Sequence, residues 1–236
     1  VIAATRRRLR ADEHPEAGIS LSELIVAMMI FGIVLTVVGS MFATMTKATT
    51  YANATDQNVR NASNGMNAMS RMLRSAQNLP QANTTDRPAF SDARAEAVTL
   101  VTAVNLDPTT TDDTTPLEVT FAVDAKRNLR ETTRTAVHPT ALSPYWVFNS
   151  TSPTTARTIT TPVSTTPTGA APLFRFYDPD GTELVPPTGA SLSGDDLADI
   201  ASVAITLRQA NTKSTLDNGI TLVNTVMLEN LRGGNG

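Results

Sequence analysis

The sequence contains no cysteine. Disulfides, thiol catalysis and cysteine-type zinc sites are therefore excluded, while the compartment stays open. Histidine is nearly as scarce. His14 and His138 are the only two and lie far apart, which argues against a histidine-based zinc site and against a catalytic triad. There is no glycine-rich phosphate loop and no convergent set of acid, base and nucleophile, so neither an enzymatic activity nor a cofactor is expected. Aromatic residues make up 5% of the chain while threonine is abundant, a balance that favours β structure and polar loops over a large aromatic core. The formal net charge is −3, and a mildly acidic body gives no support for nucleic-acid binding.

What the sequence does have is one long apolar run. No charged residue occurs from Leu24 to Thr46, and Lys47 closes the window. At ~1.5 Å per helical residue this is long enough to cross a ~30 Å hydrocarbon core. Arg6, Arg7, Arg8 and Arg10 precede the run and only Lys47 closely follows it. The positive-inside rule therefore predicts a cytoplasmic N-terminus, with everything beyond Lys47 outside. Gly32 and Gly39 lie within the run, where small residues allow close helix approach.

Beyond the run, Val59, Ala62, Met66, Met69, Leu73 and Ala76 recur at alternating spacings of three and four, with Asn, Gln, Ser and Arg between them. This spacing predicts that the helix continues with a single apolar stripe. Pro80 should end it, with Leu79 pushed toward extended geometry. A helix from about Ser20 to Asn78 would be on the order of 90 Å long.

After residue 80 the pattern changes. Segments 97–104, 117–123, 173–178, 200–209 and 219–228 are short, β-branched and partly alternating, and read as strands; 128–137 is a weaker strand. The Thr/Pro-rich stretches 107–116 and 151–172 read as loops. The expected fold class is α+β: a long N-terminal helix, transmembrane in its first third and amphipathic after it, packed against a C-terminal antiparallel β-sheet.

Two features of "HPEAGISLSELIVAMMIFGIVLTVVGSMF" (14–42) need a joint explanation. The small-residue site Ala17-Gly18 comes before the apolar run, whereas a secretory signal is cut after it. Glu23, a few positions into the run, places a carboxylate near lipid, where it is costly unless paired or protonated. The segment resembles the N-terminus of the type IV pilin family, whose consensus G-F-T-L-I-E-L reads here G-I-S-L-S-E-L. Gly18, Leu21, Glu23 and Leu24 match; Ile19 replaces the usual phenylalanine, and Ser22 stands where an apolar residue is commoner. The resemblance implies cleavage between Gly18 and Ile19 by a prepilin peptidase, which in this family also N-methylates the new terminus at Ile19. It further implies that Glu23 pairs with the Ile19 amine of a neighbouring subunit. The plainer alternative places Glu23 at the headgroup boundary, tolerated near a helix N-terminus where the dipole favours an anion.

Four parts follow: a basic leader (1–18), a transmembrane and polymerisation helix (19–46), its amphipathic continuation (47–79) and a β-rich head (80–236). "NAMSRMLRSAQNLP" (67–80), the terminal strand pair and the Leu228-Glu229-Asn230-Leu231 end are similar to the minor pilin or pseudopilin class called PilW/PulJ-like. The expected function is thus that of a minor pilin, a structural subunit that helps to assemble or initiate a type IV pilus. Its implied partners are the prepilin peptidase, other major and minor pilins and an inner-membrane assembly platform. The chain would first be a single-pass cytoplasmic membrane protein and then part of a cell-surface filament. The alternatives are a pseudopilin of a type II secretion system and, from another class, a single-pass membrane-anchored surface binding protein.

Other motifs read plainly. "DPDGTE" (178–183) is a turn joining "LFRFY" to "TELV", with Asp178 and Asp180 a weak metal candidate. Ser193 or Asp195 is expected to cap a short helix. Arg127, Arg130 and Arg134, with Glu131 among them, read as a solvated strand edge. Tyr145, Trp146 and Phe148 read as a core anchor.

Overall fold

The first helix begins where its sequence provides a start. Ser20 precedes it and Glu23 lies in its first turn, an arrangement that satisfies backbone N–H groups that lack helical partners. In the computed structural model, which describes residues 18–81, 85–103, 115–141, 143–210 and 219–232, α1 runs from Leu21 to Arg74. The basic leader with His14, and most of the 107–116 stretch, lie outside the described residues.

The chain divides into two units, residues 1–50 and 51–236, and α1 contributes to both. In the first unit α1 contains a window long and apolar enough to cross a membrane, none of it buried within the protein. Its side chains, from Leu24 through Met45, are exposed all round. Thr36, Ser40, Thr44 and Thr46 turn their hydroxyls back onto carbonyls three or four residues earlier, which removes free donors from a surface otherwise made of hydrocarbon.

In the second unit the predicted stripe is buried at Ala62, Met66, Met69, Leu73 and Ala76, joined by Met72, whereas Val59 is 41% exposed and stands outside the core. Gly65 lets the helix approach closely: a Cβ there would lie 3.2 Å from Ile159 and 3.5 Å from Leu207. The helix ends at Arg74, earlier than Pro80 would require. Ser75 and Ala76 are captured by the adjacent strand instead. Ala76 bridges Thr102, Gln77 donates to the Val101 carbonyl, and the Ser75 and Thr102 hydroxyls bond to each other. Arg71 and Arg74 occupy the last turn, where the helix dipole favours cations.

Two antiparallel sheets form the rest of this unit, where one was expected. The strands β1 (Phe90–Ala93), β2 (Ala97–Thr102), β3 (Leu117–Val123), β4 (Leu129–Thr135) and β5 (Thr154–Thr160) make a meander in chain order. The second sheet takes the order β7-β6-β8-β9 from β6 (Phe174–Tyr177), β7 (Glu183–Leu184), β8 (Ser202–Gln209) and β9 (Ile220–Met227). Phe121, Phe174, Phe176, Leu100 and Ile205 share one core with the helical methionines. Segment 162–164 ties the sheets together: Val163 bridges Gln209, and its N–H donates to the Arg127 carbonyl.

Three strands were not foreseen. β1 and β7 are too short to show alternation. β5 lies inside the stretch 151–172 read as a loop, and corrects that reading. Its threonines are β-branched and suit an extended strand, and Arg157 at its centre faces Glu131 of β4. β5 also displaces the predicted strand edge, since β4 is an interior strand. The short α2 (Gly194–Ala198) is capped by Ser193, whose hydroxyl accepts the Asp196 N–H, as predicted. A last helix, α3 (Glu229–Arg232), follows β9 and contains the Asn230-Leu231 end.

Candidate assembly site at the start of the first helix

Gly18 and Ile19 precede α1 without regular structure, and Ile19 is 76% exposed. The helical ladder begins when the Leu24 N–H donates to the Ser20 carbonyl at 3.0 Å. Glu23, at the third helical position, reaches back so that its Oε2 accepts the Ser20 N–H at 3.0 Å. The Ser20 hydroxyl bonds instead to the Ser22 hydroxyl at 2.7 Å. This is one half of a capping box, and it shows that the carboxylate has a local structural use of the kind the plainer alternative requires.

Ser22, Glu23, Val26 and Ala27 line a shallow groove of about 310 Å³. Two of these residues are small, so the carboxylate sits beside open space and stays reachable. A second groove, at Met29, Gly32, Ile33, Thr36 and Val37, is formed because Gly32 has no side chain. The structure therefore places Gly18, Ile19 and Glu23 within one turn of each other, on an exposed helix start bordered by small residues.

The remaining motifs do not join this site. The Asp178 Oδ1 accepts the N–H groups of Asp180 and Thr182, at 3.0 and 2.7 Å, and Gly181 adopts φ 84°. That is a β6–β7 turn, and no group of three metal-ligating side chains occurs among the described residues. The three arginines separate. Arg127 pairs with Glu96 at 2.8 Å, Arg134 lies 4.0 Å from Glu118, and Arg130 is exposed. Glu131 is on the opposite face of β4, only 3% exposed, held by Arg157 beside a 410 Å³ cleft that Arg71 also lines. Tyr145, Trp146 and Phe148 are half-buried and not part of the core. Trp146 stacks on His138 with ring centroids 3.8 Å apart, and Arg87 lies over Phe148. Composition alone offered no signal for the Glu131–Arg157 pair, since it depends on a strand that was read as a loop.

Residues 14–39 match the family model described as the prokaryotic N-terminal methylation motif. No curated protein matches the chain. The match covers Gly18, Ile19, Glu23 and the apolar run as far as Gly39, so the N-terminal segment is type IV pilin-like. Together with the long apolar helix it fits a single-pass membrane protein.

Proposed function

We propose that the chain is a minor pilin, a structural subunit that helps to assemble or initiate a type IV pilus. A prepilin peptidase cleaves it between Gly18 and Ile19 and methylates the Ile19 amine. The chain enters the membrane with its N-terminus inside, and is then drawn into a helical bundle with other pilins through residues 19–46. The observation that carries this reading is the start of α1. A methylation motif leads into an apolar helix whose side chains are all exposed, and Glu23 sits beside an open groove there. Such a helix in water would leave a large hydrocarbon surface unburied. A bundle of equivalent helices, or lipid, supplies the missing cover.

The charge logic supports the same assignment. Cleavage before Ile19 creates an ammonium group, and a carboxylate in a low-dielectric bundle needs such a partner. A register that left Glu23 unpaired would be strongly disfavoured, so the Glu23–Ile19 pair selects how neighbouring subunits align. The helix-end arginines and the closing β8–β9 pair support the PilW/PulJ-like assignment within the family.

N-terminal mass analysis of the assembled protein tests the reading. The expected terminus is methylated Ile19; an intact leader, or a cut beyond the apolar run, overturns it. Proteomics of sheared surface filaments then separates a pilus subunit, which is recovered there, from a pseudopilin, which stays with the cell envelope.

A further inference from the structure

Two sheets in this protein have four edges, and three of them are blunted. β1 is four residues long, its register shifts between Phe90 and Asp92, and Ala93 bonds to the Ser191 hydroxyl and, through its carbonyl, to the Leu192 N–H. β7 has two residues and runs into Pro186-Pro187. β5 has Arg157 at its centre and prolines at 153 and 162 on either side. These are the devices by which sheet edges avoid pairing with other chains.

β9 has none of them. It is eight residues long, ITLVNTVM, with no charge, proline or register shift. β8 pairs with one of its edges, and no described residue is bridged to the other. Its outward face is Thr221, Val223, Thr225 and Met227, with Val223 67% and Met227 51% exposed. On the inward face Asn224 donates to the Ser70 hydroxyl of α1 at 2.8 Å, and Val226 is buried. The core thus fixes the register of the strand and leaves a full row of backbone donors and acceptors unpaired.

The geometry points to β9 as a strand-addition site for an uncharged edge strand of a different pilin-type subunit. A second copy of this chain does not fit. Antiparallel pairing of β9 with itself places a two-fold axis through the sheet face, and that axis reverses the segment of α1 that lies over the sheet. Two such chains could not share the common helix direction that a bundle in one membrane imposes. Parallel self-pairing places the axis along the strands and turns the core face of one copy to the solvent side of the other. An unlike subunit is bound by neither symmetry. The absence of charge on β9 selects a strand equally free of charge, because an unpaired Lys or Glu at the seam would be desolvated without compensation. Backbone hydrogen bonds would supply affinity, and the Val223 and Met227 side chains specificity.

This inference rests on the reading of the chain as a pilin-type subunit, and the experiment separates the two. A photo-crosslinking residue is placed in turn at Thr221, Val223 and Thr225 of the full chain, in cells that assemble it. The expected adducts join β9 to a strand of a second protein with its own N-terminal methylation motif. The attachment point should move two residues for each two-residue step along β9. In parallel, Val223→Lys should lower recovery of the chain in the assembled complex at least tenfold while cleavage at Gly18 and protease resistance of the folded region stay unchanged. Adducts to a second copy, adducts without a fixed register, no adduct from correctly cleaved chains, or normal incorporation of the V223K chain would each overturn the proposal. None of these outcomes alters the processed N-terminus that tests the pilin reading itself.

Discussion

The Glu23 carboxylate accepts the backbone N–H of Ser20 at 3.0 Å, and Ser20 is the residue directly after Ile19, whose amine cleavage would free. The acid is therefore held by its own helix start, one peptide unit from the proposed new charge. Capping and charge pairing draw on different properties of the same side chain. The cap needs only a hydrogen-bond acceptor, whereas pairing with an ammonium needs a negative charge.

Glu23→Gln separates these uses, because glutamine can serve as the acceptor of a capping box but carries no charge. If the charge aligns neighbouring subunits, E23Q and E23A should both be cleaved at Gly18 yet be recovered in filaments more than roughly tenfold less than the parent chain, the order of effect of leaving a buried charge unpaired. Quantitative immunoblots of sheared filaments provide the readout. Normal incorporation of E23Q would leave capping as the role of this residue.

Gly65 is where α1 passes over both sheets, with Ile159 of β5 and Leu207 of β8 within 3.5 Å of a Cβ placed there. Gly65→Val should destabilise the folded region by about 1–3 kcal/mol through overpacking. Gly65→Ala should be close to neutral, since the roughly 1 kcal/mol gained in helix propensity offsets a shift of the Ile159 methyl. Urea unfolding of the full chain in detergent, followed by circular dichroism, distinguishes the two variants.

The long-range outline was legible because it depends on strong periodicity. The apolar run, the stripe from Ala62 to Ala76 and five of the nine strands follow from side-chain spacing alone, and the turn at Asp178 and the Ser193 cap follow from local hydrogen-bonding chemistry. What was missed depends on tertiary partners. α1 stops at Arg74 because the backbone of β2 captures Ser75, Ala76 and Gln77, an event that no local propensity encodes. β5 was hidden by its threonines and prolines until β4 supplied a ladder and Glu131 a partner for Arg157. At the assembly site the order Gly18, Ile19, Glu23 was plain in the sequence. The bond from Ser20 to Glu23 was not, since the acid was read for its charge and not as an acceptor.

Arg127 has φ 62°, a left-handed conformation that disfavours a side chain. It is held in the β3–β4 turn by contacts that glycine could not make. Its guanidinium pairs with Glu96 at 2.8 Å and donates to the carbonyls of Val163 and Ser164. Arg127→Ala loses these links and keeps the unfavourable backbone, so it should destabilise by about 1–3 kcal/mol. Arg127→Gly loses the same links but tolerates the conformation, and should recover roughly 1 kcal/mol of that loss. Thermal melts of the two variants side by side give the order, parent above R127G above R127A.

The same turn has an acid whose protonation should loosen it. Asp124 accepts the N–H groups of Asn128 and Lys126 and the Asn128 side-chain amide, each at 2.9 Å. The bond from the Asn128 side chain, followed by that from its backbone, holds the carboxyl below its ordinary value of 3.8. Because the folded-state pKa is depressed, the carboxylate's contribution is fully present above that ordinary value. It is lost as pH falls through the lower, folded-state pKa. Amide resonances of Lys126 and Asn128 should hold steady near neutral pH and shift together below about 3.8, as their acceptor gains a proton. Asp124→Asn should abolish that inflection while keeping one side-chain oxygen as an acceptor. An inflection that survives in D124N would show that another group controls the turn.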